Sequence, residues 1–138
     1  MRSLSKKELF EGKELDIVGK SISAVTLDSN IVISIYQHEF RSDFRIESSF
    51  KIEDTNKDIT IEVVFEPFRR DKYTYSGITK LAEIVNCTVV GARVYLDGLL
   101  ELCFDNGFII TVQPDENYEA WTYTGQSGLL ICTPGGVF

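Results

Sequence analysis

The chain is poor in the residues that usually announce a chemistry. Its 138 residues hold one His, one Trp, one Met, three Pro and three Cys. The cysteines, Cys87, Cys103 and Cys132, are odd in number and far apart, which excludes a disulfide framework. With His38 they would make a Cys3His zinc set by count, but structural zinc needs ligand pairs two to four residues apart, and none are. No apolar run reaches the roughly 18 residues of a membrane-spanning helix, and residues 1–17 lack the apolar stretch of a signal peptide. A reducing cytoplasm is the expected location. Basic residues are also scarce: 14 Lys and Arg stand against 21 Asp and Glu, a formal net charge of -7. Nucleic acids and anionic membranes require a basic footprint, so neither is expected as a partner. A basic protein partner is compatible with this charge, as is plain solubility.

Strand-forming residues are plentiful, with nine Phe, six Tyr and many Ile, Val and Thr. Ser5 and Glu8 form a capping box for a short helix over about residues 6–11, which Gly12 ends. Val25 and Leu27, then Ile31, Ile33 and Ile35, alternate around Asp28-Ser29-Asn30 as a hairpin. Phe44, Ile46, Ser48, Phe50 and Ile52 share one face of an antiparallel strand, with Arg45, Glu47, Ser49 and Lys51 on its wet side. Ile59, Ile61, Val63 and Phe65 line the return strand, which Pro67 ends. A basic connector, Arg69-Arg70-Asp71-Lys72, follows. A second helix runs from Ser76 to about Val85, with Ile78, Leu81, Ala82 and Val85 on one face and Asn86 as its stop. Hairpins then turn at Asp97-Gly98 and Asn106-Gly107. Trp121 and Tyr123 share a face of the next strand, and Leu130 and Cys132 share one on the last. The expected class is α+β, mainly β: antiparallel meander sheets of about nine strands with two short helices.

By length the chain is one domain, residues 1–138. Val25, Leu27, Asp28, Ile31, Ile33 and Ile35 recur as Val94, Leu96, Asp97, Leu100, Leu102 and Phe104, each 69 residues later. Two related halves, 1–68 and 69–138, would explain this echo. Hairpins also resemble one another by chance, since a period of two is easily matched.

Few residues present themselves for chemistry. His38, between Gln37 and Glu39 in a polar break, is the one neutral-pH acid–base candidate, against the bland reading of an exposed loop histidine. Nucleophile-elbow, phosphate-loop and dinucleotide motifs are missing, so no cofactor, metal or catalytic residue is expected. Cys103 and Cys132 read as buried thiols acting as small hydrophobes. Acidic clusters at Glu53-Asp54-Asp58, at Asp97 with Asp105, and at Asp115-Glu116-Glu119 read as solvated turn residues, or as a surface for a basic partner. Tyr118, Trp121 and Tyr123 dominate an interaction surface if exposed and a core if buried. Strand spacing favours the core for Trp121 and Tyr123. The candidate interaction surface is therefore Tyr118, Trp121, Tyr123, Asp115, Glu116 and Glu119.

The stretch Leu100-Glu101-Leu102-Cys103-Phe104-Asp105-Asn106-Gly107, the Tyr118-Glu119-Ala120-Trp121 block and the Cys132-Thr133-Pro134-Gly135-Gly136 ending carry a resemblance. Over roughly residues 88–137 the chain resembles a family of small bacterial proteins of unknown function. The resemblance implies a bacterial cytosolic protein and supplies no catalytic residues. Three functions are thus expected in competition. One is a non-catalytic interaction module, of toxin-immunity type, that takes a basic partner. Another is a small-molecule binder or small enzyme with a pocket near His38 or Trp121. The third is a homodimer paired through an exposed sheet edge.

Overall fold

Alternating apolar and polar residues build almost everything in this chain. The computed structural model describes residues 13–27, 30–66, 72–73, 75–95, 97–116, 119–125 and 128–132. Its strands are β1 (Lys13–Glu14), β2 (Ala24–Leu27), β3 (Ile31–Gln37), β4 (Phe40–Ile46), β5 (Phe50–Asp54), β6 (Ile59–Val63), β7 (Phe65–Glu66) and β8 (Lys72–Tyr73). A helix, α1 (Tyr75–Leu81), runs into a 3-10 turn (Ala82–Ile84). There follow β9 (Val89–Val94), β10 (Leu100–Phe104), β11 (Phe108–Val112), β12 (Trp121–Gly125) and β13 (Gly128–Ile131). The fold is mainly β and antiparallel, as its composition predicts. The expected first helix lies outside the described residues, as do Pro67, Arg69 to Asp71 and the Pro134-Gly135-Gly136 ending.

Two sheets carry the architecture. One has six strands in the order β1-β9-β10-β11-β5-β6, the other five in the order β13-β12-β4-β3-β2, and β7 with β8 forms a separate ribbon. The inward residues of both sheets join one buried cluster that includes Ile33, Phe44, Ile52, Leu102, Ile110 and Trp121. Burying a side chain of this kind stabilises by roughly 1.5–3 kcal/mol.

The halves of the chain are interlaced. The meander β2-β3-β4 is extended by the hairpin β12-β13, and the meander β9-β10-β11 by the hairpin β5-β6. Register follows the same rule at both junctions. Phe44 faces Tyr123 and Arg45 faces Thr122, just as Ile110 faces Ile52 and Thr111 faces Lys51. The 69-residue echo holds between β3 and β10 but slips in the strands before them. Leu27, four residues before Ile31, is opposite it, whereas Val94, six residues before Leu100, is opposite that residue, because the second hairpin has the longer turn.

Several expectations are corrected. The unbroken alternation from Phe44 to Ile52 is two strands, in different sheets. The chain leaves β4 at Ile46, crosses through residues 47–49 and enters the other sheet at Phe50. Both sheets face the same core, so crossing between them leaves the alternation intact. Ser48 stays buried at the corner and its hydroxyl donates to the Ala120 carbonyl at 3.3 Å, while the Glu47 amide donates to the same oxygen at 2.9 Å. The helix also ends earlier than its pattern suggests. Tightening to 3-10 geometry brings residues three apart into line, so Leu81 and Ile84 are buried while Ala82 is exposed. Asn86, at φ 70°, does stop this element. Finally, Asp54 is no solvated turn residue. It is buried, accepts hydrogen bonds from the Asn56 and Lys57 amides, and pairs with Lys80 of α1 at 3.0 Å.

Candidate functional site

The outer face of the five-stranded sheet follows from strand parity. With Ile33, Phe44 and Tyr123 turned to the core, the alternate residues Val32, Ser34, Tyr36, Asp43, Arg45, Thr122 and Thr124 must point away from it. They line an open trough of about 590 Å³, completed by Glu47 and Glu119 at one end. Arg45 occupies the central strand, between Val32 on β3 and Thr122 on β12. The next row pairs Asp43 with Ser34 and Thr124.

The charged groups in the trough are in different states. Asp43 is already engaged: Ser34 Oγ donates to its Oδ1 at 2.6 Å, and the Tyr36 hydroxyl donates to the same atom at 3.3 Å. Tyr36 is held in turn by the Arg41 guanidinium, 4.9 Å from its ring centre. Glu47 is half-buried. Burial first, then the neighbouring Glu119 carboxylate, push its carboxyl above the usual range, while Arg45 opposes them. Asp43, Glu47 and Glu119 outnumber Arg45, so the trough is acidic.

The residues expected to form an interaction surface separate. Trp121 and Tyr123 are fully buried, which settles them as core and removes them from any exposed surface. Trp121 Nε1 donates to the Gly98 carbonyl at 2.9 Å, joining the five-stranded sheet to the β9–β10 turn. The Tyr123 hydroxyl shares a hydrogen bond of 2.9 Å with Ser42 and donates to Asp16. Tyr118 lies outside the described residues. Glu119 lines the trough; Asp115 and Glu116 do not.

His38 is exposed, at φ 56° in the tight β3–β4 turn, and does not line the trough. Cys132 is buried, but Cys103 is only half-buried because it points to the outer face of the six-stranded sheet. Burial raises the pKa of all three thiols, which keeps them protonated and weakly nucleophilic. Among the described residues no three His, Cys, Asp or Glu side chains gather as a metal site. Among the same residues no helix is long and apolar enough to cross a membrane.

Sequence reading placed Arg45 and Glu47 on a wet strand face and went no further. The missing signal was the pairing of β4 with β12, which sets Thr122 and Thr124 beside them from more than seventy residues away. A second, smaller depression of about 210 Å³ lies on the other sheet, around Lys51, Glu62, Thr111 and Gln113. It occupies the equivalent junction, where Thr111 and Lys51 stand in for Arg45 and Thr122.

Comparison with curated proteins and with solved structures returned no match for either. Comparison with protein families matched one, over residues 13–138, well beyond the stretch that carried the resemblance. The chain therefore belongs to DUF6188, a family of unknown function.

Proposed function

We propose that this chain is a non-catalytic protein-interaction module whose trough takes a basic segment of a partner protein. The observation that carries this reading is the acidic excess of the trough, Asp43, Glu47 and Glu119 against Arg45, on a chain of net charge -7. Complementary charge raises association rates and selects partners. An open sheet face suits a protein surface better than a small molecule, which binds where most of its area can be enclosed. The protonated thiols and the exposed, isolated position of His38 also favour binding over catalysis. A basic toxin would be one such partner, with this chain as its immunity protein.

The test is a titration with hexalysine, followed by backbone amide shifts. Changes should concentrate at Arg45, Glu47, Thr122 and their neighbours, weaken with salt, and vanish in the Glu47→Lys/Glu119→Lys double variant. Shifts scattered over the surface, or unaffected by charge reversal, would overturn the proposal. A second reading rests on the volume. About 590 Å³ lies within the range of roughly 300–1,000 Å³ typical of ligand pockets, so a small polar ligand is the alternative occupant.

A further inference from the structure

The two sheets treat charge on their outer faces differently. Across the six-stranded sheet one row reads Arg93, Glu101, Thr111, Lys51, Glu62, so each charge has an opposite charge directly across from it. The equivalent row of the five-stranded sheet reads Thr26, Val32, Arg45, Thr122, Ile131. Arg45 stands there with no acid opposite it. Among the described residues its guanidinium makes no hydrogen bond or ion pair. Asp43, two residues before it, is occupied by Ser34 and Tyr36. Glu47, two residues after it, lies between the like charge of Glu119 and the opposite charge of Arg45, which offsets only part of the cost of its burial. The first sheet sets opposite charges across from one another, whereas the second sets one cation and two carboxylates about 7 Å apart along the chain, with no acid directly across from the cation.

Resting on the reading of the trough as a protein-binding face, we infer that the segment it takes is extended and carries both signs: a carboxylate for Arg45 and a Lys or Arg side chain for Glu47 and Glu119. Side chains two residues apart on an extended peptide are separated by the same distance of about 7 Å. The trough runs from Tyr36, opposite Arg41, to Glu47, six residues and therefore about 20 Å, which matches about six extended residues. Thr26, Thr122 and Thr124 supply a neutral hydroxyl floor between the charges. A uniformly basic segment would set one of its cations against Arg45, a like-charge contact that such a row disfavours.

Four serine-based hexapeptides test this by titration calorimetry at low salt. Two carry one Lys and one Asp two residues apart, in either order; one carries two Lys at those positions, and one two Asp. One mixed order should bind about tenfold more tightly than either single-sign peptide. Arg45→Gln and Glu47→Gln should each remove that advantage. If the two-Lys peptide binds as tightly as both mixed ones, or if Arg45→Gln leaves the ratio unchanged, the mixed-charge inference falls while the basic-partner reading stands. Should neither these four, followed also by amide shifts, nor hexalysine perturb the amides around Arg45 and Glu47, both readings fall together.

Discussion

Replacing Trp121 with Phe tests the central assignment of this structure, that the single tryptophan belongs to the core. The indole is fully buried and its Nε1 donates to the Gly98 carbonyl at 2.9 Å. Phe cannot make that bond. Among the described residues the carbonyl keeps only Cys132 Sγ at 3.5 Å, a weak donor, so its desolvation is left largely uncompensated, at about 1–2 kcal/mol. The smaller ring leaves a void worth about 1 kcal/mol more. The expected loss is therefore about 2–3 kcal/mol. With an unfolding entropy of about 2.1 cal/mol/K per residue, a chain of this length loses roughly 3–4 °C of Tm for each kcal/mol. The melting temperature should fall by roughly 7–10 °C. Urea unfolding followed by far-UV circular dichroism reads the change without relying on the lost tryptophan. The midpoint should drop while the slope stays constant. Well below the new melting point, hexalysine binding should be unchanged. A variant as stable as the parent, or one that folds normally yet loses peptide binding, would refute the placement of Trp121.

Other expectations follow from single contacts. Glu47 has a folded pKa above its unfolded one, so its ionisation costs stability as pH rises through the folded value. Glu47→Gln should therefore raise the urea midpoint near neutral pH and converge with the parent in acid; a less stable variant at neutral pH would contradict the burial described. Asp54 behaves oppositely. Its hydrogen bond from Lys80 is the leading cause of a lowered pKa, and the stability this confers is lost as pH falls through the folded value. Asp54→Asn should lower the midpoint at neutral pH and flatten its decline toward acid, as a pH series of unfolding curves would show. Gly125→Ala places a methyl against the Tyr123 hydroxyl and Ser42 Oγ, overpacking that costs about 1–3 kcal/mol by thermal unfolding. If Gly125→Ala melts with the parent, the close approach at that position is wrong.

How far the fold could be read depended on whether its cause was local. The β10–β11 turn was legible because Gly107 takes φ 87° and Asn106 Oδ1 accepts from the Phe108 amide, both properties of adjacent residues. Strand parity was legible at Phe44, Ile46, Phe50 and Ile52 for the same reason. The crossing between Ile46 and Phe50 was not, because parity records which side faces the core and is silent on which sheet supplies it. Asp54 was misread because its partner, Lys80, arrives with α1 from a distant part of the chain. The trough was hidden by the same circumstance. Arg45 and Glu47 look like an ordinary wet face until β12 is set beside them.

The interlacing of the halves reaches beyond topology. Neither the part ending with β6 nor the part beginning with β9 can complete a sheet, since each lends its last hairpin to the other. The hydroxyl of Thr55 donates to the Gly107 carbonyl at 2.7 Å, and Asn56 Nδ2 to the Asn106 carbonyl at 2.9 Å, so even the turns of one half close on the other. The chain thus behaves as two mutually dependent fragments. Cut within residues 67–71, the pieces should remain associated and should refold only when mixed, in a reaction whose rate rises with concentration.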